Sequence, residues 1–335
     1  MIPGFLSKGD MMSYKWYSGI PHTHTTASDG KLTLEEVIKL AKKNKLDFVI
    51  ITDHNKLCEE FPETEGLTLI YGAEYTKHGG HANLWGVRDV VDHFDAETYE
   101  EWLEVKNEAQ RRGALVCMNH PWCMQCPWRW EKDPGEVDVL EVWNAPQHYD
   151  NIVCTDWWHE QLRKGYKLPV VGGSDYHSDY VVTNLLQMPV TYVYAKSDSP
   201  EDILDAIKKG RTTICDHMGA TFIDIRCGEN LLGDTVKLTE GLKATVSVKK
   251  MKKNHILRVF NQDGECFTFK AEKSGDYTFE IPVEKTGFMC AHINYEANFA
   301  YQIIHEKVLA GKIPSQQGMT LPPLIWAQTS AIYFE

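Results

Sequence analysis

The chain has 335 residues, of which 43% are hydrophobic and 24% charged, and its net charge is −12. These values exclude a disordered, collagen-like or coiled-coil chain, and the length predicts two domains or one large barrel with an appendage. The acidic balance argues against a nucleic-acid groove, which needs clustered Lys and Arg, and no apolar run approaches the ~18–20 residues of a membrane helix.

The start, MIPGFLSKGDMMSYKWYSG, has no positive segment followed by an apolar run, so no secretory signal is expected. Leu34, Val37, Ile38 and Ala41 follow helical spacing, and Thr33 with Glu36 makes a capping box. Strands are predicted at FVIIT (48–52), LTLIYGAE (67–74), ALVCMNH (114–120), VLEVWN (139–144) and LPVVGGSD (168–175). Helices are predicted over 98–113 and 199–210, the second with Pro200 in its first turn and Gly210 at its end. Apolar runs separated by helices predict parallel β/α units, hence a barrel or a doubly wound sheet. Near residue 218 the period changes to two, in ATFIDIRC, LKATVSVKK, ILRVFNQDGECFTFK, DYTFEIPV and FMCAHINYE, with a hairpin turn at Gln262-Asp263-Gly264. A small antiparallel β-sandwich is expected there, giving domains at 1–217 and 218–335. Nine scattered cysteines, an odd count, predict reduced thiols in a cytoplasmic protein. The CxxC formed by Cys123 and Cys126 is read as ordinary thiols.

Chemistry-bearing residues gather at the strand ends of the first domain. HTHTTASDG carries His22, His24 and Asp29; TDHN carries Asp53 and His54; GAE carries Glu74; GGHANLWG carries His81; NHP carries His120; GGSDYH carries Asp175 and His177. Two His at i and i+2 on an extended segment point to one side and can pinch a cation. Each fragment alone reads as a cap, a turn or a buried hydrogen bond. Five strand ends in succession, each with a His or a carboxylate, point instead to a metal site, with Glu74 as candidate bridge. His255, His292 and His305 show no such pairing. Nitrogen and oxygen donors suit Zn, Mn or Fe.

This series of motifs resembles the polymerase and histidinol phosphatase (PHP) family over roughly residues 18–217. The resemblance implies a distorted (β/α)7 barrel holding two or three divalent ions and hydrolysing phosphate esters. By motif, His22, His24, Glu74 and Asp175 would hold the first metal, Glu74, His81 and His120 the second, and Asp29, His54 and His177 the third. Asp53 would orient a ligating His. The third motif position, often His in the family, is Asp29 here. GHANLWG and the β-rich tail look more like the carbaryl-hydrolase-like branch, which includes carbamate hydrolysis.

The expected activity is that of a metal-dependent phosphoesterase acting on a small molecule through a metal-bound hydroxide. The alternatives are a carbamate, ester or amide hydrolase and a non-catalytic scaffold. Asp175 or His177 would protonate the leaving group. Lys77, His78, Arg129 and His148 are the candidate substrate contacts. Trp122, Trp128, Trp130 and Trp143 are read as pocket walls or as packing against the second domain. No nucleic-acid or membrane partner is expected.

Overall fold

A computed structural model describes residues 14–58, 60–86, 88–89, 96–145, 149–179, 184–296 and 322–335. The first part runs β1 (Lys15–Ile20), α1 (Leu34–Lys43), β2 (Phe48–Ile51), β3 (Thr68–Lys77), β4 (Gly80–Trp85), α2 (Tyr99–Arg111), β5 (Leu115–Met118), β6 (Val139–Asn144), α3 (Tyr149–Arg163), β7 (Val170–Gly173), β8 (Val190–Ala195), α4 (Pro200–Lys208) and β9 (Thr212–Cys215). The described residues beyond it hold strands and no helix: β10 (Phe222–Arg226), β11 (Thr235–Val236), β12 (Lys243–Met251), β13 (Ile256–Asn261), β14 (Gly264–Lys270), β15 (Gly275–Pro282), β16 (Gly287–Tyr295), β17 (Leu324–Thr329) and β18 (Ile332–Phe334).

Local chemistry starts the helices. Thr33 Oγ1 accepts from the Glu36 amide while Glu36 accepts from the Thr33 amide, and Thr98 with Glu101 repeats the exchange on α2. On α4, Ser199 caps and Pro200 occupies the first turn, where its missing N–H costs nothing. Val37 and Ala41 of α1 are fully buried, as their spacing predicts.

The fold is mixed α/β. Strands β1, β2 and β3 pair in parallel, as do β5, β6 and β7. Strict β/α alternation does not hold. Only four α-helices occur among the described residues. β4 is antiparallel to both β3 and β5, and β8 is antiparallel to β1. The reason at β4 is chain length: only His78 and Gly79 separate it from β3, whereas a parallel crossover needs about a dozen residues. Trp128 and Trp130 press on this hairpin, and a Cβ on Gly80 or Gly79 would overlap their rings. The sheet curls so that β7 returns towards β8 and β9. Thr191 Oγ1 bonds both the amide and the carbonyl of Gly172, and Thr212 Oγ1 donates to the Val170 carbonyl at 2.7 Å.

In the second part, β10, β12 and β15 form one antiparallel sheet, while β13, β14, β16, β17, β18 and β11 belong to the larger sheet. Along β12, Ala244, Val246 and Val248 are buried and alternate with less buried residues. They share one apolar core with Leu257, Val259, Ala291 and Ile293 of the facing strands. β17 pairs with β9, so the hydrogen-bonded ladder is continuous between the two parts of the chain.

α3 is an element that periodicity does not reveal. Asn151, Cys154, Thr155, Trp158, His159, Gln161 and Leu162 are all buried, so its sequence shows no single apolar stripe. It lies between β6 and the second part, where Thr155 Oγ1 reaches Gln328 Oε1 at 3.2 Å. No helix among the described residues is long and apolar enough to cross a membrane.

Candidate metal centre

The loop after β1 is stretched against its neighbours. The Thr23 amide donates to Thr52 Oγ1 and the His24 amide to the Tyr176 carbonyl, each within 3.0 Å. This extended stretch aims His22 and His24 inward from i and i+2, and both are fully buried. His54 follows β2, Glu74 lies within β3, and His81 lies on β4 opposite Thr76. His120 follows β5, while Asp175 and His177 follow β7. His120 and Asp175 take positive φ values of 29° and 48°, conformations that non-glycine residues keep only when their surroundings hold them.

Glu74 is the centre. Its fully buried carboxylate has imidazole nitrogens of His54 at 2.8 Å, His81 at 3.2 Å, His22 and His120 at 3.4 Å and His24 at 3.5 Å. Asn119 Nδ2 donates to it at 2.9 Å. Asp175 Oδ1 lies 3.0 Å from His24 Nε2 and 3.3 Å from His22 Nε2. Nearer the surface, Asp29 Oδ1 lies 3.2 Å from His177 Nε2 and 3.5 Å from His54 Nε2. His24, Asp29, His54 and His177 present donor atoms that all lie within 4.8 Å of one another, and so do His22, His24 and Glu74. Nine residues named at the strand ends thus converge.

Electrostatics shows what this crowding costs without cations. Burial opposes a charge on His22, but Asp175, Glu141 and Glu74 outweigh it and hold the imidazole well above its ordinary pKa. His120 is driven up to about 9 in the same way, burial being outweighed chiefly by Glu74. His54 is raised too, against burial and mainly by Glu74. His24 moves down, because burial exceeds the pull of Asp175. Burial would raise Glu74 and Asp175, yet the surrounding imidazoles hold both carboxyls well below their usual range. Five imidazoles around one buried carboxylate form a nitrogen and oxygen donor set, and divalent ions fit it by replacing the protons it otherwise must hold.

The partner that orients His22 is Glu141, not Asp53. Glu141 Oε1 accepts from His22 Nδ1 at 2.9 Å, and Oε2 accepts from the His120 amide and from Asn144 Nδ2. A Cβ on Gly173 would strike that carboxylate. The expectation that Asp53 orients a histidine is corrected. Its oxygens accept from the Thr25 amide, Thr25 Oγ1 and Ser28 Oγ at 2.6–2.8 Å, so it folds the loop that carries His24 and Asp29.

Of the candidate substrate contacts, Lys77 needs correction. Residues alternate across β3, so Glu74 and Thr76 face the cluster while Tyr75 and Lys77 face away. Lys77 Nζ pairs instead with Glu97 at 3.6 Å. His78 is exposed at the β3–β4 turn, and Arg129 is exposed with its amide bonded to the Gly79 carbonyl. His148 lies outside the described residues. Trp130 stacks on Tyr75 and on Trp102 of α2, Trp128 meets Trp102 edge-on, and both join the core cluster that reaches the second part of the chain. Trp143 is buried in the core cluster that reaches Phe288 and Tyr333, and Trp122 packs on Trp157. One ligand candidate was read as an ordinary thiol: Cys126 Sγ lies 3.8 Å from His120 Nδ1 and groups with His81 and His120.

Residues 21–125 match the family described as the PHP domain. A two-domain protein from Bacteroides vulgatus, containing a predicted PHP-like metal-dependent phosphoesterase, has a similar fold, with 19% identity, a TM-score of 0.51, and coverage of 83% of this chain and 90% of that one. A presumed metal-dependent phosphoesterase from Bifidobacterium adolescentis shares 17% identity, with a TM-score of 0.34 and coverage of 48% of this chain and 87% of that one. No curated protein matches.

Proposed function

We propose that this PHP-domain chain is a metal-dependent hydrolase that cleaves a small-molecule phosphate monoester. The observation that carries the reading is Glu74, one buried carboxylate within 3.5 Å of five imidazoles. We read the curled sheet as a distorted seven-unit barrel with a sandwich appended. His22, His24, Glu74 and Asp175 would hold one divalent ion, and Glu74, His81 and His120 a second. Asp29, His54 and His177 would hold a third, and Zn, Mn and Fe all suit these donors. The ions would acidify a water and neutralise charge growing on the phosphoryl oxygens.

The chain's own groups prepare that chemistry. Glu141 holds His22 with Nδ1 donating, which leaves Nε2 for the centre. His177 Nδ1 donates to the Asp175 carbonyl at 2.8 Å, so its Nε2 lone pair faces Asp29 and can ligate. Asp175 is held ionised, so we assign it to cation binding and not to protonating the leaving group. The leaving oxygen would take its proton from water at the mouth, where Asp29 and His177 are partly exposed. Nine scattered cysteines, an odd count, suit a reducing cytoplasm, and a small-molecule partner suits a buried site.

One observation favours a second reading. Lys77 turns away to Glu97, so the cation a phosphate would use there is missing, and a neutral carbamate or ester would not need it. The test is turnover of an aryl phosphate and an aryl carbamate by chelator-stripped protein with Mn or Zn restored. Metal-dependent phosphate release supports the first reading. Carbamate cleavage alone would replace it with the second, and no turnover of either with ions bound would end both.

A further inference from the structure

A second group of donors meets where α3 packs on β16. Cys290 and His292 sit two residues apart on β16 and so face the same side, and His159 reaches them from α3. Cys290 Sγ is 3.4 Å from His159 Nε2, and the rings of His159 and His292 stack at 4.9 Å. One donor atom from each of the three lies within 4.8 Å of the others. His159, Cys290 and His292 are 5%, 0% and 3% exposed, which removes water as an easy partner.

Two orphaned atoms make the case independently. Gln328 of β17 stands directly across from His292 and is fully buried. Its Oε1 meets Thr155, but its Nε2 has no hydrogen-bond partner, and neither does Nε2 of His292. Buried polar atoms are nearly always satisfied, so the His292 nitrogen calls for an ion or a water, and the Gln328 amide is satisfied there once turned to present its oxygen. We propose that His159, Cys290 and His292 form a separate, closed metal site for zinc that ties α3 to the second part of the chain.

The donor chemistry selects the metal. A thiolate with two imidazoles is softer than the carboxylate-rich centre around Glu74, and it suits Zn over Mn. Zinc bond lengths of about 2.3 Å to sulfur and 2.0–2.1 Å to nitrogen give a tetrahedral N···S span of about 3.5 Å. The His159–Cys290 pair is already at that span. Gln328 could complete the tetrahedron through its amide oxygen once the amide is turned, or a water could.

The full-length chain tests this when loaded with Co(II) in place of zinc. Cys126→Ser removes the sulfur that groups with His81 and His120. The Cys126→Ser chain should still show a near-ultraviolet thiolate-to-cobalt charge-transfer band. Cys290→Ser added to that variant should lose the band and bind one ion fewer per chain. A band absent from Cys126→Ser, or persisting in the double variant, would overturn the assignment. Should the double variant fail to fold, X-ray absorption of zinc-loaded Cys126→Ser decides the matter. A sulfur neighbour at about 2.3 Å is expected, and a shell of only nitrogen and oxygen refutes the site.

Discussion

Three histidines of the Glu74 centre and two in the second part of the chain shift in opposite directions. In the first, His22, His54 and His120 are all raised above the ordinary imidazole range. In the second, burial pulls His255 down to about 4 and His292 well below its usual value. Both sets are largely buried, so burial cannot be the difference. The first set faces Glu74, Glu141 and Asp175. His255 instead stacks on Tyr295 and meets the edge of Trp326, and His292 stacks on His159. At equal depth the carboxylates within reach raise a histidine, and at His24 even they do not outweigh burial.

Removing the central carboxylate should erase the contrast. Glu74→Gln keeps the volume but leaves five imidazoles without their shared anion. Loss of an outer-sphere partner typically costs about 10–100-fold in metal affinity or activity. Loss of Glu74 should exceed that, with bound divalent ions falling by at least one per chain. Elemental analysis and turnover on one preparation check this. Retention of both would show that Glu74 bridges nothing.

The two parts should also respond to pH with opposite signs. His120 sits at about 9 when folded against an ordinary 6.5, so its charge stabilises the metal-free chain fully below about pH 6.5. That contribution, about 3 kcal/mol at most, is lost as pH rises through about 9. His255 is depressed to about 4, so it must shed a proton on folding. It costs stability as pH falls from about 6.5 towards 4. The Tm of chelated protein should therefore drop on the alkaline side. Added divalent ions should bind more tightly over the same range, because protons leave as they bind. A flat alkaline profile for chelated protein would contradict the charged state of His120.

The same contrast explains what could be read from the sequence. His22 with His24, and Asp175 with His177, were legible because period two needs only neighbouring letters. The cap of α1 was legible for a similar reason, since Thr33 and Glu36 act within one turn. Glu141 was not, because one acid inside VLEVWN reads as part of an apolar strand until His22 after β1 and the His120 amide after β5 are known to meet it. Lys77 was misplaced by counting distance from Glu74 without the alternation of β3. α3 was hidden because it is buried on several sides. The CxH spacing of Cys290 and His292 follows the rule used for His22 and His24, but its third member lies 131 residues away on α3.

Glu141→Gln probes the support of the centre and not the centre itself. The carboxylate accepts from His22, from the His120 amide and from Asn144, so an amide there turns a donor against donors. A loss of about 10–100-fold in turnover is expected, with ions still bound at millimolar supply. Gly173→Ala should copy it by pressing on both the Glu141 carboxylate and the His22 Cβ, which together make that bond. If Gly173→Ala instead left kcat and metal affinity intact, the bond from His22 to Glu141 would not be what orients the ligand.

The smallest effect belongs to His255. Its Nδ1 has no hydrogen-bond partner, and its ring lies between Tyr295 and Trp326. His255→Phe keeps an aromatic ring in that slot and removes a titrating group that folding must keep neutral. Near pH 7 the imidazole is already neutral, so only packing changes, and a swap of similar volume usually costs less than about 1.5 kcal/mol. At pH 5 the native histidine carries a proton-release cost that phenylalanine lacks, so the variant should gain in Tm relative to the parent. Turnover and metal content should not move at either pH, since His255 faces no carboxylate of the Glu74 centre. Thermal melts at pH 5 and pH 7 with a metal count would show it. Loss of turnover from His255→Phe would mean that the second part of the chain reaches into the first part's chemistry.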